Sequence, residues 1–297
     1  MNINWKNRAL QRQLAYKKAL GLKSSGLHGG IEYEHILSNE DAGNGKNFYC
    51  HNDPKEWNSL QYWAEKSKGK KVNFSGAGLK NMLRSEHIPY NLFYPLEKIR
   101  LQQPKKLHEF LEGLCSKQFH KVNKIKIEYA SDLHKNELLK DNTSFDVYIE
   151  YQNGEKICGL GIEVKYTEKS YPYGTTEKER MWDDKSLYNE LSRRSEIYKK
   201  DAFQILRTKQ LKQAWRNHLL GLKLLEIGKL HEFHSVHLYP ERNTYQANMC
   251  EEYIGCLKEE HKQSFLPITF EQFIETAEEV FTESTQHKWI KYLKERY

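Results

Sequence analysis

The sequence predicts an α/β protein with a central mixed sheet flanked by helices. Its core elements run helix, strand, strand, strand, helix, strand. Three observations predict this. Two adjacent β-like segments, 144–151 and 158–166, flank Asn153-Gly154, a strong hairpin signal. Before them, an apolar helical stripe starting at Pro104 leads into an alternating segment at 123–129. After them, a long helical stretch from about Asp201 to Ile227 leads into an alternating strand at 235–239.

Taken in order, residues 4–22 read as a basic amphipathic helix carrying Leu10, Leu14, Ala15 and Leu22, ended by Gly21, Gly26, Gly29 and Gly30. Residues 31–60 are rich in turn formers and read as irregular. The basic run Lys66 to Lys71 precedes Ser75-Gly76-Ala77-Gly78, which lacks P-loop spacing and reads as a solvated loop capping a short helix from Leu79 to Ser85. Pro104 suits a helix start, and Leu107, Phe110, Leu111 and Leu114 form the buried stripe. Ile125 and Ile127 share one face of the next strand. The segment 168–200 is a long insertion, and Val236 and Leu238 point inward from the strand at 235–239. Helices near 269–281 and 285–296 complete the chain, the first with a stripe of Phe270, Phe273, Ile274 and Ala277. The expected organisation is an N-terminal helical and irregular extension (1–95), a core (96–245) carrying the insertion, and C-terminal helices packed on it (246–297).

At 297 residues the chain can bury a substantial core. Its net charge of +7 suits a polyanionic partner. The 19 Tyr and 6 Trp residues can stack on bases as well as pack. Five cysteines are scattered and form no CxxC pair, which disfavours a disulfide framework or zinc ribbon and points to a reducing, cytoplasmic setting. No segment approaches the ~18–20 apolar residues of a membrane span. The first 22 residues carry no signal-peptide core.

The hairpin carries the chemistry. Val147, Ile149 and Tyr151 share one face of its first strand, and Asp146, Tyr148 and Glu150 the other. On the second strand, Gly161, Glu163 and Lys165 oppose the apolar Leu160, Ile162 and Val164. A two-residue turn at Asn153-Gly154 would pair Gln152 with Glu155, set Asp146 opposite Gly161 and make Glu163 its diagonal neighbour. Gly161 would then leave space beside the carboxylates. Two carboxylates and a lysine on one face suit phosphodiester hydrolysis: the acids offer hard oxygen ligands to Mg²⁺, and the ammonium can orient water or stabilise charge on phosphorus. A solvated charged hairpin face is the competing reading.

Asp146 followed by Glu163-Val164-Lys165 resembles the PD-(D/E)XK nuclease superfamily, with Phe145 where its proline often stands. Residues 82–86 with 91–93, 161–168 and 213–220 are similar to a bacterial group of restriction-endonuclease-like proteins, from roughly residue 80 onward. The resemblance implies a restriction-endonuclease-like αβββαβ core, metal-dependent cleavage with Mg²⁺ or Mn²⁺, and DNA as substrate, RNA remaining open. It implies Asp146, Glu163 and the Val164 carbonyl as metal ligands, Lys165 as catalytic, and an amide or basic residue on the following helix. Gln210, Gln213 and Asn217 share one strip there, Gln213 being favoured, and Arg216 is a candidate phosphate contact. Glu112, on the first core helix, is the candidate third acidic ligand. In the insertion, Arg193, Arg194, Lys199 and Lys200 are candidate nucleic-acid contacts. Restriction or anti-phage defence is the expected setting, and a homodimer is compatible with it. A non-catalytic nucleic-acid-binding module on a degenerate core and a scaffold with a coincidental motif are the alternatives. Glu34-His35, Asn47 and His51-Asn52 loosely match an HNH endonuclease and read as a chance match.

Overall fold

The computed structural model describes residues 4–130 and 137–297. The elements begin with α1 (Trp5–Ala19), a small hairpin of β1 (Gly26–His28) and β2 (Ile31–Tyr33), α2 (Asn39–Gly43), α3 (Pro54–Lys68), α4 (Ile88–Gln102) and α5 (Pro104–Cys115). Then come β3 (Lys121–Tyr129), β4 (Phe145–Asn153), β5 (Lys156–Val164), α6 (Thr175–Trp182), α7 (Leu187–Arg194), α8 (Phe203–Leu206) and α9 (Lys212–Glu226). The chain continues through β6 (Glu232–Tyr239), α10 (Thr244–Cys256), β7 (Phe265–Thr269), α11 (Phe270–Val280) and α12 (Ser284–Arg296).

The main sheet has the order β3-β4-β5-β6-β7. β3, β4 and β5 form an antiparallel meander, whereas β5-β6 and β6-β7 are parallel. It is thus the mixed, helix-flanked sheet of a restriction-endonuclease-like fold, with the strand β7 added. Alternation splits the sheet residues between two cores. Val147, Ile149, Leu160, Ile162, Val164, Val236 and Leu238 join the core built with α4, α5, α11 and α12. Tyr148 and Phe233 join a second core with Trp215, Leu219 and Leu220 of α9. β5 is buried on both faces from Cys158 onward, as a central strand of a covered sheet must be.

Several elements differ from the sequence expectation, each for a physical reason. Residues 79–84 form turns around a β-bridge from Asn81 to Ile36, a 3-10 turn follows over Ser85–His87, and the α-helix begins at Ile88 instead. This α4 is buried on nearly all sides from Ile88 to Leu96, so it shows no amphipathic stripe, and Pro95 lies inside it. Within 31–60, α3 starts at Pro54 with the Asp53 side chain accepting the amides of Lys55 and Glu56. The helix expected over 201–227 is divided into α8 and α9. β7 contains Pro267, which a sheet edge tolerates because the ring leaves no ladder donor.

The hairpin register also differs. Asn153 pairs with Lys156, Gln152 with Ile157 and Tyr148 with Gly161, so the loop residues are Gly154 and Glu155. Gly154 has φ +61° at the first loop position, and Glu155 has no positive φ. That pattern suits a type II′ turn, in which glycine leads, rather than the type I′ turn that Asn-Gly favours. The slip is two residues, so every side chain keeps its face. Continuing the register from Val147–Ile162 by one residue places Asp146 directly across from Glu163.

Candidate active site

Three strands and one helix build the site. Asp146 is the second residue of β4, Glu163 nears the end of β5, and Lys165 follows where β5 leaves the sheet. The Lys165 amide still donates to the Leu238 carbonyl at 2.9 Å, which fixes the side chain beside Glu163. Asp146 Oδ2 accepts the Val164 N–H at 2.8 Å, tying the two strands at the carboxylate. Glu163 Oε1 accepts from the Lys165 ammonium and from Gln213 Nε2, the latter at 3.2 Å. Its other oxygen accepts from Asn217 Nδ2. Gln213 and Asn217 sit one turn apart on α9, so a single helix face grips both oxygens.

Glu163 and Lys165 are each 5% exposed, whereas Asp146 is half-buried at the mouth of the site. Burial, reinforced by the charge of Glu163, pushes the Asp146 carboxyl well above its ordinary range, and the Lys165 charge and the Val164 N–H only partly oppose this. Burial alone would lower the Lys165 ammonium, but Glu163, Asp146 and Glu168 together raise it, so it keeps its proton.

A sequence-family comparison decides what this arrangement belongs to: the model of the PD-(D/E)XK nuclease superfamily matches residues 2–297. The chain belongs to the PD-(D/E)XK nuclease superfamily. No curated protein and no solved structure matches it. Proteins of this superfamily are nucleases and generally use divalent metal ions. This nuclease has a donor set that fits such an ion. Two hard carboxylates face each other across the strands beside a single ammonium, Lys165, which is bonded to Glu163. Mg²⁺ is commonly held by one or two carboxylates, with water and phosphate completing its shell.

The remaining sequence candidates are placed differently. Glu112 does not join the pair. Its Oε1 accepts the Phe119 N–H at 3.0 Å and holds the turn after α5. Among the described residues, no group of three or more His, Cys, Asp or Glu side chains converges to hold a metal. Gly161 leaves no space beside the carboxylates. It lies opposite Tyr148, and an added Cβ would meet Phe145 at 2.3 Å and Phe233 at 2.8 Å. Arg216 is already engaged: it pairs with Glu177 at 2.7 Å and donates to Thr143 Oγ1 at 2.9 Å.

The basic residues of the insertion also lie apart. Arg194 pairs with Glu226 at 2.7 Å, at the end of α9 opposite Gln213. Thirteen helical residues separate those ends, about 20 Å at 1.5 Å per residue. Arg193 donates to the Asp184 carbonyl. Lys199 donates to the Gly255 carbonyl at 2.7 Å, at the far end of α10, and Lys200, next to it, is exposed. In the region matched to HNH enzymes, Asn47 donates to the Leu79 carbonyl, and His51 Nδ1 contacts the Phe48 carbonyl, so both serve packing.

Sequence reasoning missed four neighbours of the site. Buried Glu168 accepts the amides of Tyr166 and Thr167 at 3.0 and 3.1 Å and that of Ser85, anchoring the turn after Lys165. Tyr171 lies 5.9 Å from the Lys165 ammonium and 5.4 Å from the Arg84 guanidinium, measured to its ring centre. His237 sits beside Glu163 in the β5-β6 register; burial pushes its imidazole down to about 4, and it bonds Gln246 Oε1 at 3.0 Å. Glu128 adds to the push on Asp146 and is paired with Lys68 at 2.7 Å. Glu168 and Tyr171 follow the Glu-Val-Lys motif directly, so their positions beyond the strand end were the available signal. His237 and Glu128 gave none, because neighbouring strands bring them in.

Proposed function

We propose that this nuclease hydrolyses phosphodiester bonds in DNA with Mg²⁺, Mn²⁺ serving in its place. Restriction or anti-phage defence is the setting we favour, with RNA cleavage and homodimer formation as secondary readings to test. The observation that carries the proposal is the direct opposition of Asp146 and Glu163, with Lys165 bonded to Glu163 in the same buried pocket.

In this reading Asp146, Glu163 and the Val164 carbonyl hold the ion. A bound divalent cation would polarise the scissile phosphate and acidify an attacking water. The protein's own groups do the rest. Gln213 and Asn217 lock the Glu163 carboxylate in one orientation, which a side chain with three rotatable bonds would otherwise lose. Lys165 stays protonated among three carboxylates, so its role is to stabilise charge on the phosphate and orient water, not to accept a proton.

Purified protein incubated with labelled single- and double-stranded DNA and with RNA, with Mg²⁺, Mn²⁺ or EDTA, tests the proposal. Metal-dependent cleavage of DNA supports it. Cleavage of RNA alone would reassign the substrate, and no cleavage of any strand would favour a non-catalytic binding module.

A further inference from the structure

A cavity of about 1020 Å³ opens beside the reaction centre. Four distant chain segments line it: the start of α1, Arg84 ahead of α4, the stretch after Lys165 and the connection from β6 into α10. Tyr171 belongs both to its wall and to the surroundings of Lys165, so the cavity lies next to the reaction centre.

Five cations line this cavity: Lys6, Arg8, Arg84, Lys169 and Arg242. Lys6, Lys169 and Arg242 are exposed and Arg8 is half-buried. Arg84 pairs with Glu86 at 2.7 Å, but the other four form no ion pair with a carboxylate among the described residues, in contrast with Arg194 and Arg216. The acid in the wall, Glu168, is already occupied by three backbone amides and by Arg84 at 3.5 Å. The cavity therefore carries uncompensated positive charge. Three aromatic side chains stand among these cations: Trp5, Tyr171 and Tyr245. Lys169 lies 5.8 Å from the ring centre of Tyr245, and Arg84 lies over Tyr171.

Free cations matched with half-buried rings in a concave site suit one ligand chemistry. Ammonium and guanidinium groups track phosphates, and tyrosine rings stack on bases. Bases in a duplex hide their faces in the stack, so rings set inside a cleft can reach only unpaired bases. We propose that this cleft seats an unpaired, single-stranded stretch of polynucleotide and leads it to the Asp146–Glu163 pair. This rests on the nuclease reading for what happens to the strand, though not for its binding. In this arrangement α1 supplies one wall of the substrate path.

The test is fluorescence anisotropy in EDTA with short labelled oligodeoxythymidylate, oligouridylate and a DNA duplex. Expected is tighter binding of a single strand than of the duplex, the DNA and RNA arms showing which sugar is preferred. Replacing Lys6, Arg8, Lys169 and Arg242 together with glutamine should lower the slope of log affinity against log salt by about 0.7 for each phosphate no longer neutralised. Tyr245→Ala should weaken single-strand binding roughly 5- to 100-fold, as loss of one stacked base does, while Tyr245→Phe retains it. Circular dichroism melting checks that these surface variants fold. Equal affinity for duplex and single strand, with an unchanged salt slope in the fourfold variant, would overturn the inference. If wild type cleaves in Mg²⁺ but the fourfold variant binds and cleaves identically, the cleft inference falls and the nuclease reading stands. If wild type binds single strands through the cleft and never cleaves, the nuclease reading falls and the cleft inference stands.

Discussion

Asp146→Asn should make the metal-free protein more stable while removing its activity. Asp146 and Glu163 are direct cross-strand neighbours, and such residues lie about 5 Å apart. Two unit charges at that separation repel by about 3 kcal/mol at an effective dielectric near 20. The Lys165 ammonium, bonded to Glu163, cancels part of this, leaving about 1–2 kcal/mol. Asparagine keeps an oxygen to accept the Val164 N–H, so the strand tie survives the change. In a protein this large, 1–2 kcal/mol corresponds to roughly 2–5 °C in Tm. The sign follows from proton binding. The folded Asp146 carboxyl titrates above its unfolded value, so the native state binds more protons. Wild-type stability in EDTA should therefore fall as pH rises from the unfolded carboxylate range through the raised folded one, and Asp146→Asn should flatten that fall. Mg²⁺ should reverse the order: at a hundred times its Kd it adds about 2.7 kcal/mol to wild type and little to the variant. Differential scanning fluorimetry across pH, with EDTA and with Mg²⁺, measures all of this. A variant less stable than wild type in EDTA at neutral pH, with an undiminished Mg²⁺ shift, would refute the reasoning.

Lys165→Ala should lower single-turnover cleavage by about 10²–10³-fold while calorimetry still detects metal binding, because the ammonium acts on charge in the chemical step; Lys165→Arg should not fully restore the rate, since the broader guanidinium cannot reproduce the bond to Glu163. Asn217→Ala should reduce turnover and leave the fold intact by circular dichroism, because it frees one Glu163 oxygen. Gly161→Ala should destabilise the protein by about 1–3 kcal/mol in urea melts, since its new methyl group would collide with Phe145 and Phe233. Arg216→Gln should lower the urea midpoint and leave the salt slope of oligonucleotide binding unchanged, since its partners are Glu177 and Thr143.

What was legible in the sequence was the chemistry held within one hairpin. Period-two alternation set Asp146, Glu163 and Lys165 on one face, and a two-residue register error could not undo that. The error came from Asn153-Gly154, where the dipeptide suggested one turn type and the fold used glycine to lead another. Gln213 and Asn217 were legible as a polar strip at helical spacing, but not which of them meets which Glu163 oxygen. The stripe of α5 could not reveal that Glu112 turns to the Phe119 N–H instead of the acid pair, and α4 was illegible because a helix apolar on nearly every side, with Pro95 inside, shows no stripe to read. Basic composition does not reveal that Arg194 in the insertion and Arg216 on α9 are paired with acids. The cleft cations Lys6, Lys169 and Arg242 lie far apart along the chain, and only the fold brings them together.

The nuclease site is tested most directly by single-turnover cleavage of labelled DNA, comparing wild type with Glu163→Gln, each with Mg²⁺ and with EDTA. Wild type should cleave in Mg²⁺ alone, and Glu163→Gln should not cleave despite being folded. Cleavage by Glu163→Gln at the wild-type rate would contradict the assignment of Glu163 to the reaction centre.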